Sequence, residues 1–234
     1  MMPDRIVDFD EPVTLLGGGA ADTRQLQAAL SLAPRLVAAD GGANMAVASG
    51  LIPDFVIGDY DSVSPETLAA VPAERQMRVP EQETTDFEKC LSRIAAPLIL
   101  GLGFLGPRSD HTLAAFSALV RYRATPCILI GPADVIFACP DQLSLSLPPG
   151  MRLSLFPMLP VTGESRGLRW PIDGLPLAPD GRIGTSNETT GPMTLRLSGP
   201  GMLVLLPPEA LGAVITALRR PGQGASLSAS VAAP

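Results

Sequence analysis

The 234-residue sequence has few side chains of several reactive or aromatic kinds: three cysteines, one histidine, one lysine, one tryptophan and two tyrosines, with aromatics at 4%. Cys90, Cys127 and Cys139 are odd in number and far apart, which excludes a disulfide framework or a CxxC metal knuckle and leaves core filling as their expected role. No apolar stretch reaches the roughly 18 residues of a membrane span. Asp4, Asp8, Asp10 and Glu11 stand where a signal peptide needs positive charge and an apolar run, so a cytoplasmic protein with no membrane partner is expected. There is no basic run, and a formal net charge of -6 lacks the electrostatic footprint of a nucleic-acid binder. What is present, 46% hydrophobic against 17% charged residues, suffices for a substantial core and excludes disorder throughout. The positive charge is almost all arginine, sixteen residues beside the single Lys89. A composition that drifts to arginine wherever either cation serves makes that lysine worth inspecting.

From Pro12 to Cys139, short apolar runs alternate with helical patterns. Val13 to Leu16, Leu36 to Ala39, Phe55 to Ile57, Leu98 to Leu100 and Ile128 to Ile130 read as buried strands, and the alternation as a parallel sheet with crossover helices. Thr85-Asp86-Phe87-Glu88 has capping-box spacing, and Phe87, Cys90, Leu91 and Ile94 recur at helical intervals, so a helix starts near Asp86. Ser109 or Asp110 is placed to cap another, with Leu113, Phe116 and Val120 as its buried stripe. After Cys139 the texture becomes period-two, as in Leu143 to Leu147, Leu153 to Leu155, Leu195 to Leu197 and Leu203 to Leu206, which predicts a smaller antiparallel β domain. Leu211 to Leu218 reads as a closing helix. Residues 221–234, rich in Gly, Ser and Ala, read as a disordered tail.

Three acidic clusters fall at predicted strand ends or helix starts, where open α/β sheets assemble ligand sites. Asp40-Gly41-Gly42-Ala43-Asn44 follows a strand, and its paired glycines let backbone approach a phosphate or sugar; the same residues also read as a tight turn. Gly58-Asp59-Tyr60-Asp61-Ser62 follows another strand and can aim two carboxylates at one point, the kind of oxygen site that Mg²⁺ shares with phosphates, unless it is a solvated loop. In Glu81 to Lys89, Asp86 and Lys89 lie one helical turn apart and can face one site; ordinary capping with a surface ion pair satisfies the same pattern. Gly101-Leu102-Gly103-Phe104-Leu105-Gly106 matches a dinucleotide fingerprint but lacks an acid about 20 residues on. A Walker A loop is excluded, because the only lysine follows Glu88 rather than glycine.

In order, these motifs together with Arg108-Ser109-Asp110-His111, Gly167-Leu168-Arg169-Trp170 and Gly184-Thr185-Ser186-Asn187-Glu188 resemble the thiamine pyrophosphokinase (thiamine diphosphokinase) family over nearly the whole chain. The resemblance implies an α/β ATP-binding domain over 1–139, a β-sandwich thiamine-binding domain over 140–220, and a homodimer with thiamine held between subunits. It also implies transfer of a diphosphate from ATP to the thiamine hydroxyl, releasing AMP. On that basis Asp59, Asp61 and Asp86 hold Mg²⁺ and, with Lys89, form the catalytic set. Asp40, Gly41, Gly42, Asn44, Arg108, Asp110 and His111 contact the nucleotide. Trp170 stacks on thiamine while Ser186 and Asn187 bond its aminopyrimidine edge; the bland alternative for Trp170 is a core residue, and for His111 a turn-holding one. Glu81 and Glu83 stand where the family usually has Asp, Pro107 where it has Gly, and Ala115 where it has Asn. A pyrophosphokinase for another heterocyclic alcohol such as a pterin, and a non-catalytic nucleotide- or thiamine-binding regulator, are the alternative functions.

Overall fold

A strand covered on both faces needs apolar side chains at every position, whereas one covered on a single face needs them only at alternate positions. The computed structural model, which describes residues 7–219, separates the chain along that line. Its first part runs β1 (Val7–Asp8), β2 (Val13–Leu16), α1 (Thr23–Leu32), β3 (Arg35–Ala39), α2 (Gly42–Ala48), β4 (Phe55–Gly58), α3 (Pro65–Ala70), β5 (Gln76–Arg78), α4 (Asp86–Leu91), β6 (Ile94–Ala95), β7 (Ile99–Leu102), α5 (Ser109–Arg121) and β8 (Cys127–Ile130). The remainder is β9 (Val135–Ala138), β10 (Gln142–Leu145), β11 (Arg152–Pro157), β12 (Gly163–Leu168), β13 (Gly184–Leu197), β14 (Met202–Leu206) and α6 (Leu211–Leu218). β2 and β7 are buried along their whole length, while β10 alternates exposed and buried residues.

One sheet has the strand order β10-β13-β11-β14-β9-β8-β7-β2-β3-β4-β5. Pairing is parallel from β8 through β7, β2, β3 and β4 to β5, and antiparallel from β8 through β9, β14, β11 and β13 to β10. The protein is therefore a mixed α/β structure with one large mixed sheet. β13 passes from pairing with β11 at its start to pairing with β10 and β12 at its end. On one side of the sheet Leu98, Leu100 and Ile128 share a core with Leu145, Leu153, Leu195 and Val214. The chain leaves β2 toward β3 and returns on the other side as β7, so loops diverge above the β2/β7 boundary, the position where open α/β sheets hold ligands.

Four local expectations change. The α4 helix stops at Leu91, and Ile94 instead enters β6, paired with β1. The cap position of α5 is Arg108, without a side-chain capping bond, so neither Ser109 nor Asp110 caps it; the Asp110 carboxylate turns back to Arg108. Leu113 is 62% exposed, and the fully buried stripe of α5 is Ala115, Ala118 and Leu119, with Phe116 and Val120 at its margin. Antiparallel pairing begins with β9, before Cys139. The expectation for 221–234 lies outside the described residues. Cys90, Cys127 and Cys139 are buried and unpaired, and burial pushes each thiol up. Among the described residues no helix is long and apolar enough to cross a membrane.

Candidate functional site

The C-terminal ends of β3 and β4 bring two of the acidic motifs together. Asp40 directly follows β3 and is 1% exposed. Its carboxylate accepts the backbone N–H of Tyr60 through Oδ1 at 2.8 Å and that of Ser62 through Oδ2 at 3.1 Å. Asp40 and Tyr60 both have left-handed backbone, with φ of 43° and 72°. Aspartate tolerates that region, whereas a bulky residue there is strained and needs its surroundings to hold it; the Asp40 carboxylate supplies part of that hold. A side chain at Gly58 would place its Cβ 2.8 Å from both Cβ and Oδ1 of Asp40, so the close approach requires glycine.

This packing brings carboxylate oxygens of Asp40, Asp59 and Asp61 within 4.8 Å of one another. Ser62 Oγ donates to Asp61 Oδ1 at 2.8 Å. Asp59 Oδ2 accepts from Gln82 Nε2 at 2.6 Å and from Lys89 Nζ at 3.0 Å. Lys89, on α4, also donates to Asp86 Oδ1 at 3.2 Å, and its side chain is only 3% exposed. Asp86 thus joins the group through the lysine, and Asp40 stands in the tight carboxylate cluster.

The protonation states follow from these contacts. The Lys89 bond holds the Asp59 carboxyl below its usual range against an opposing effect of burial, with the Gln82 bond adding to it. Burial pushes Asp86 up, and Lys89 offsets only part of that. Burial disfavours the Lys89 ammonium too, but its bonds to Asp59 and Asp86 prevail and hold it above its ordinary value. Tyr60 is pushed up to about 12, first by burial and then by the Asp40 charge.

Several motif residues serve the protein's own backbone. A Cβ on Gly42 would lie 2.1 Å from the Leu16 carbonyl oxygen, and one on Gly41 3.2 Å from Ser62 Cβ, so a close approach within the protein accounts for the glycine pair. Asn44 donates to the Ser62 carbonyl at 2.8 Å and accepts from Ser64 N–H at 2.9 Å, which stitches the first acidic loop to the second. Glu81 accepts both N–H groups of Glu83 and Thr84 and the Thr84 hydroxyl, and the hydroxyl bond is the main cause of its lowered pKa. Glutamate in place of aspartate there closes a turn. The Gly101 to Gly106 motif also has a structural role: Gly103, at φ 76°, accepts from Gly19 N–H at 3.0 Å, and a Cβ on it would lie 2.6 Å from the Gly17 carbonyl.

A cleft of about 660 Å³ lies where the loops after β2, β7 and β8 meet, lined by Ala21, Leu105, Pro107, Thr112, Phe116 and Ile136 among others. Arg108, Asp110 and His111 lie between its lining residues Pro107 and Thr112 in sequence, and all three are exposed. Arg108 Nη2 bonds Asp110 Oδ2 at 2.6 Å and holds that carboxyl below its usual range. The expected Mg²⁺, nucleotide and catalytic residues of the first half are thus split between the carboxylate group and this rim.

Trp170, Ser186 and Asn187 come together elsewhere, around a pocket of about 320 Å³ also lined by Pro171, Leu177, Arg182 and Ile183. Trp170 is 53% exposed, which removes the core alternative, and the Arg169 guanidinium lies 4.8 Å from its ring centre. Asn187 is buried; it donates to the Trp170 carbonyl at 2.7 Å and accepts the N–H groups of Trp170 and Glu188 at 3.2 and 2.8 Å. Its amide therefore fixes the tryptophan's backbone where both residues line the pocket. Ser186, at φ 60°, is anchored through its N–H to Ser154 Oγ at 3.1 Å. Sequence reading assigned no role to Gln82, to Arg78, whose Nε donates to the Asp59 carbonyl at 3.3 Å, or to the loop of Gly17 to Gly19. A polar residue inside an acidic motif and a glycine triplet after a strand were the signals available.

Residues 26–130 match the family model described as thiamin pyrophosphokinase, catalytic domain. Over 196 residues the chain is 30% identical to thiamine pyrophosphokinase 3 of Oryza sativa subsp. japonica, covering 66% of this chain and 73% of that protein. Thiamine pyrophosphokinase 1 of the same organism is 31% identical over 154 residues, 58% of each chain, and thiamin pyrophosphokinase 1 of Caenorhabditis elegans is 28% identical over 157 residues, 59% of this chain and 63% of its own. The chain thus spans less than two thirds of these last two relatives. In fold it is similar to the thiamin pyrophosphokinase from Candida albicans, with a TM-score of 0.70 at 18% identity over 88% of this chain and 95% of that one. The enzyme from Geobacillus thermodenitrificans gives 0.67 at 20% identity, over 83% and 96%. The matched stretch contains Asp40, Asp59, Asp61, Asp86, Lys89 and Arg108, the residues of the carboxylate group and the cleft rim, and the chain belongs to the thiamin pyrophosphokinase family.

Proposed function

We propose that this chain transfers the diphosphate of ATP to the hydroxyl of thiamine, giving thiamine diphosphate and AMP. The observation that carries the reading is the group of Asp40, Asp59 and Asp61 with Lys89 bonded into it, inside the stretch that matches the family's catalytic domain. An all-oxygen donor set with unfilled lone pairs fits a hard cation such as Mg²⁺. When bound, Mg²⁺ would neutralise charge on the phosphate oxygens around the transferred group. The remainder of the chemistry is orientation and charge. Lys89 keeps Asp59 ionised and fixes Asp59 and Asp86 relative to each other. Arg108, from the rim, offsets further phosphate charge. The cleft where the loops after β2, β7 and β8 meet takes the rest of the nucleotide, with Asp110 and His111 at its edge.

Trp170 and its pocket take thiamine, a flat cation suited to an exposed electron-rich ring. Seven strands, β3, β2, β7, β8, β9, β14 and β11, separate β4 from β13 in the sheet. The tryptophan pocket and the carboxylate group are thus carried by different halves of the sheet. This supports a homodimer in which each thiamine lies between subunits, and a division into an α/β catalytic part over 1–139 and an antiparallel thiamine-binding part over 140–220. Three unpaired buried thiols accord with a reducing, cytoplasmic setting. The test is purified protein with ATP, Mg²⁺ and thiamine, products separated by chromatography. AMP and thiamine diphosphate in equal amounts are expected; ADP, or no turnover, overturns the reading. Light scattering should give about twice the 24.3 kDa chain mass.

A further inference from the structure

Lys89 and Asp86 ride on a helix of only six residues, Asp86–Leu91. Helices that short have almost no stability of their own, so their orientation comes from what they are tied to. Phe87, Cys90 and Leu91 bury the apolar side of α4, but apolar contacts do not fix rotation about the helix axis closely. A second polar tie does. Glu88 is buried, its side chain 11% exposed, and all of its carboxylate is engaged. Oε2 accepts the backbone N–H and the hydroxyl of Thr85, both at 3.1 Å, while Oε1 accepts Arg121 Nη1 at 2.6 Å. Arg121 is the last residue of α5. The carboxylate thus closes the first turn of α4 and bolts it to the end of a 13-residue helix whose other end begins beside Arg108.

We propose that Glu88, held by Arg121, is a positioning residue that sets the rotation of α4 and so keeps the Lys89 ammonium between Asp59 and Asp86. Its catalytic consequence rests on the function proposed above; the positioning itself does not. Capping alone would require only Thr85 and Glu88. The Arg121 bond adds nothing to the cap and links it to a second element.

Because Lys89 is the only lysine in the chain, the full-length protein labelled with ¹⁵Nζ-lysine carries one reporter. The lysine ammonium of the parent protein should give one resolved resonance, protected from solvent exchange. Glu88→Gln and Arg121→Met should broaden it away or move it to the position of free lysine. Both should also lower kcat about tenfold, the size of a coupling between groups in one network, with the KM for thiamine unchanged. Arg121→Lys should restore much of kcat. Arg121 is 60% exposed, so its methionine variant tests the idea even if Glu88→Gln does not fold. An unchanged resonance in Arg121→Met overturns the proposal. So does a kcat loss of equal size when Arg121→Met is made in a Lys89→Met background, since an effect transmitted through Lys89 must disappear there. A parent protein that makes no AMP refutes the function reading, and the resonance still decides the positioning.

Discussion

Asp40 gives the sharpest quantitative test of the site. Replacing it with alanine leaves the N–H groups of Tyr60 and Ser62 without their acceptor. At about 1–3 kcal/mol for each of these partly buried bonds to a charged acceptor, the loss is about 2–6 kcal/mol. Alanine at φ 43° adds about 1–2 kcal/mol, the left-handed penalty that aspartate and asparagine largely escape. Against this, removing one of three carboxylates within 4.8 Å relieves repulsion worth about 1 kcal/mol per pair in water-like screening. Asparagine relieves the same repulsion, keeps one acceptor and tolerates the backbone. Comparing Asp40→Ala with Asp40→Asn therefore cancels the charge effect and isolates one hydrogen bond plus the backbone penalty, about 2–5 kcal/mol. The assay is urea unfolding of the chelator-treated protein followed by far-ultraviolet circular dichroism, with equal slopes in both variants. Asp40→Asn should lie close to the parent protein and Asp40→Ala well below it. Equal stability of the two variants would refute the claim that Asp40 holds the Tyr60 loop.

Asp59→Asn and Asp61→Asn should each lower turnover at least ~100-fold with the fold intact, the scale of losing one strong electrostatic contribution; near-normal rates in both would remove them from the cation site, and activity that survives excess chelator would reject metal dependence. Trp170→Ala should weaken thiamine binding by ~1–3 kcal/mol, the range of cation–π and stacking losses, with the ATP requirement unchanged, and the intrinsic fluorescence of the parent protein should respond to thiamine; normal binding by the alanine variant would sink the assignment. Lys89 has a folded pKa raised above its ordinary 10.5, so in metal-free protein its stabilising contribution is complete below pH 10.5 and disappears as pH rises through the higher folded value. Lys89→Met should lack that alkaline loss in thermal melts, and identical alkaline profiles would count against the ion pair. Asp59, with a folded pKa below its ordinary 3.8, contributes stability that is present above pH 3.8 and is lost as pH falls through the lower folded value; an Asp59→Asn variant should show a shallower acid limb in the same melts.

Sequence alone determined the parts that depend on local pattern. Continuous apolar runs gave β2, β3, β4, β7 and β8 to within a residue or two, because strands covered on both faces leave no place for polar side chains. Period-two segments marked β10, β11, the end of β13 and β14 but not β9 or β12, and Thr85 to Glu88 announced α4 through a capping box that the structure contains. The family was legible because its motifs recur in order at strand ends. Tertiary structure decided what each motif residue touches. Gly42 is glycine for the Leu16 carbonyl, Asn44 and Asn187 bond backbone, and Asp40 enters the carboxylate group, since strands far apart in sequence become neighbours only in the sheet. Ile94 shows the same limit: its spacing continues the α4 stripe, but pairing with Val7, more than 80 residues earlier, draws it into a strand. Glu88 and Arg121 are 33 residues apart, and no local period connects them; only the packing of α4 against α5 makes them partners.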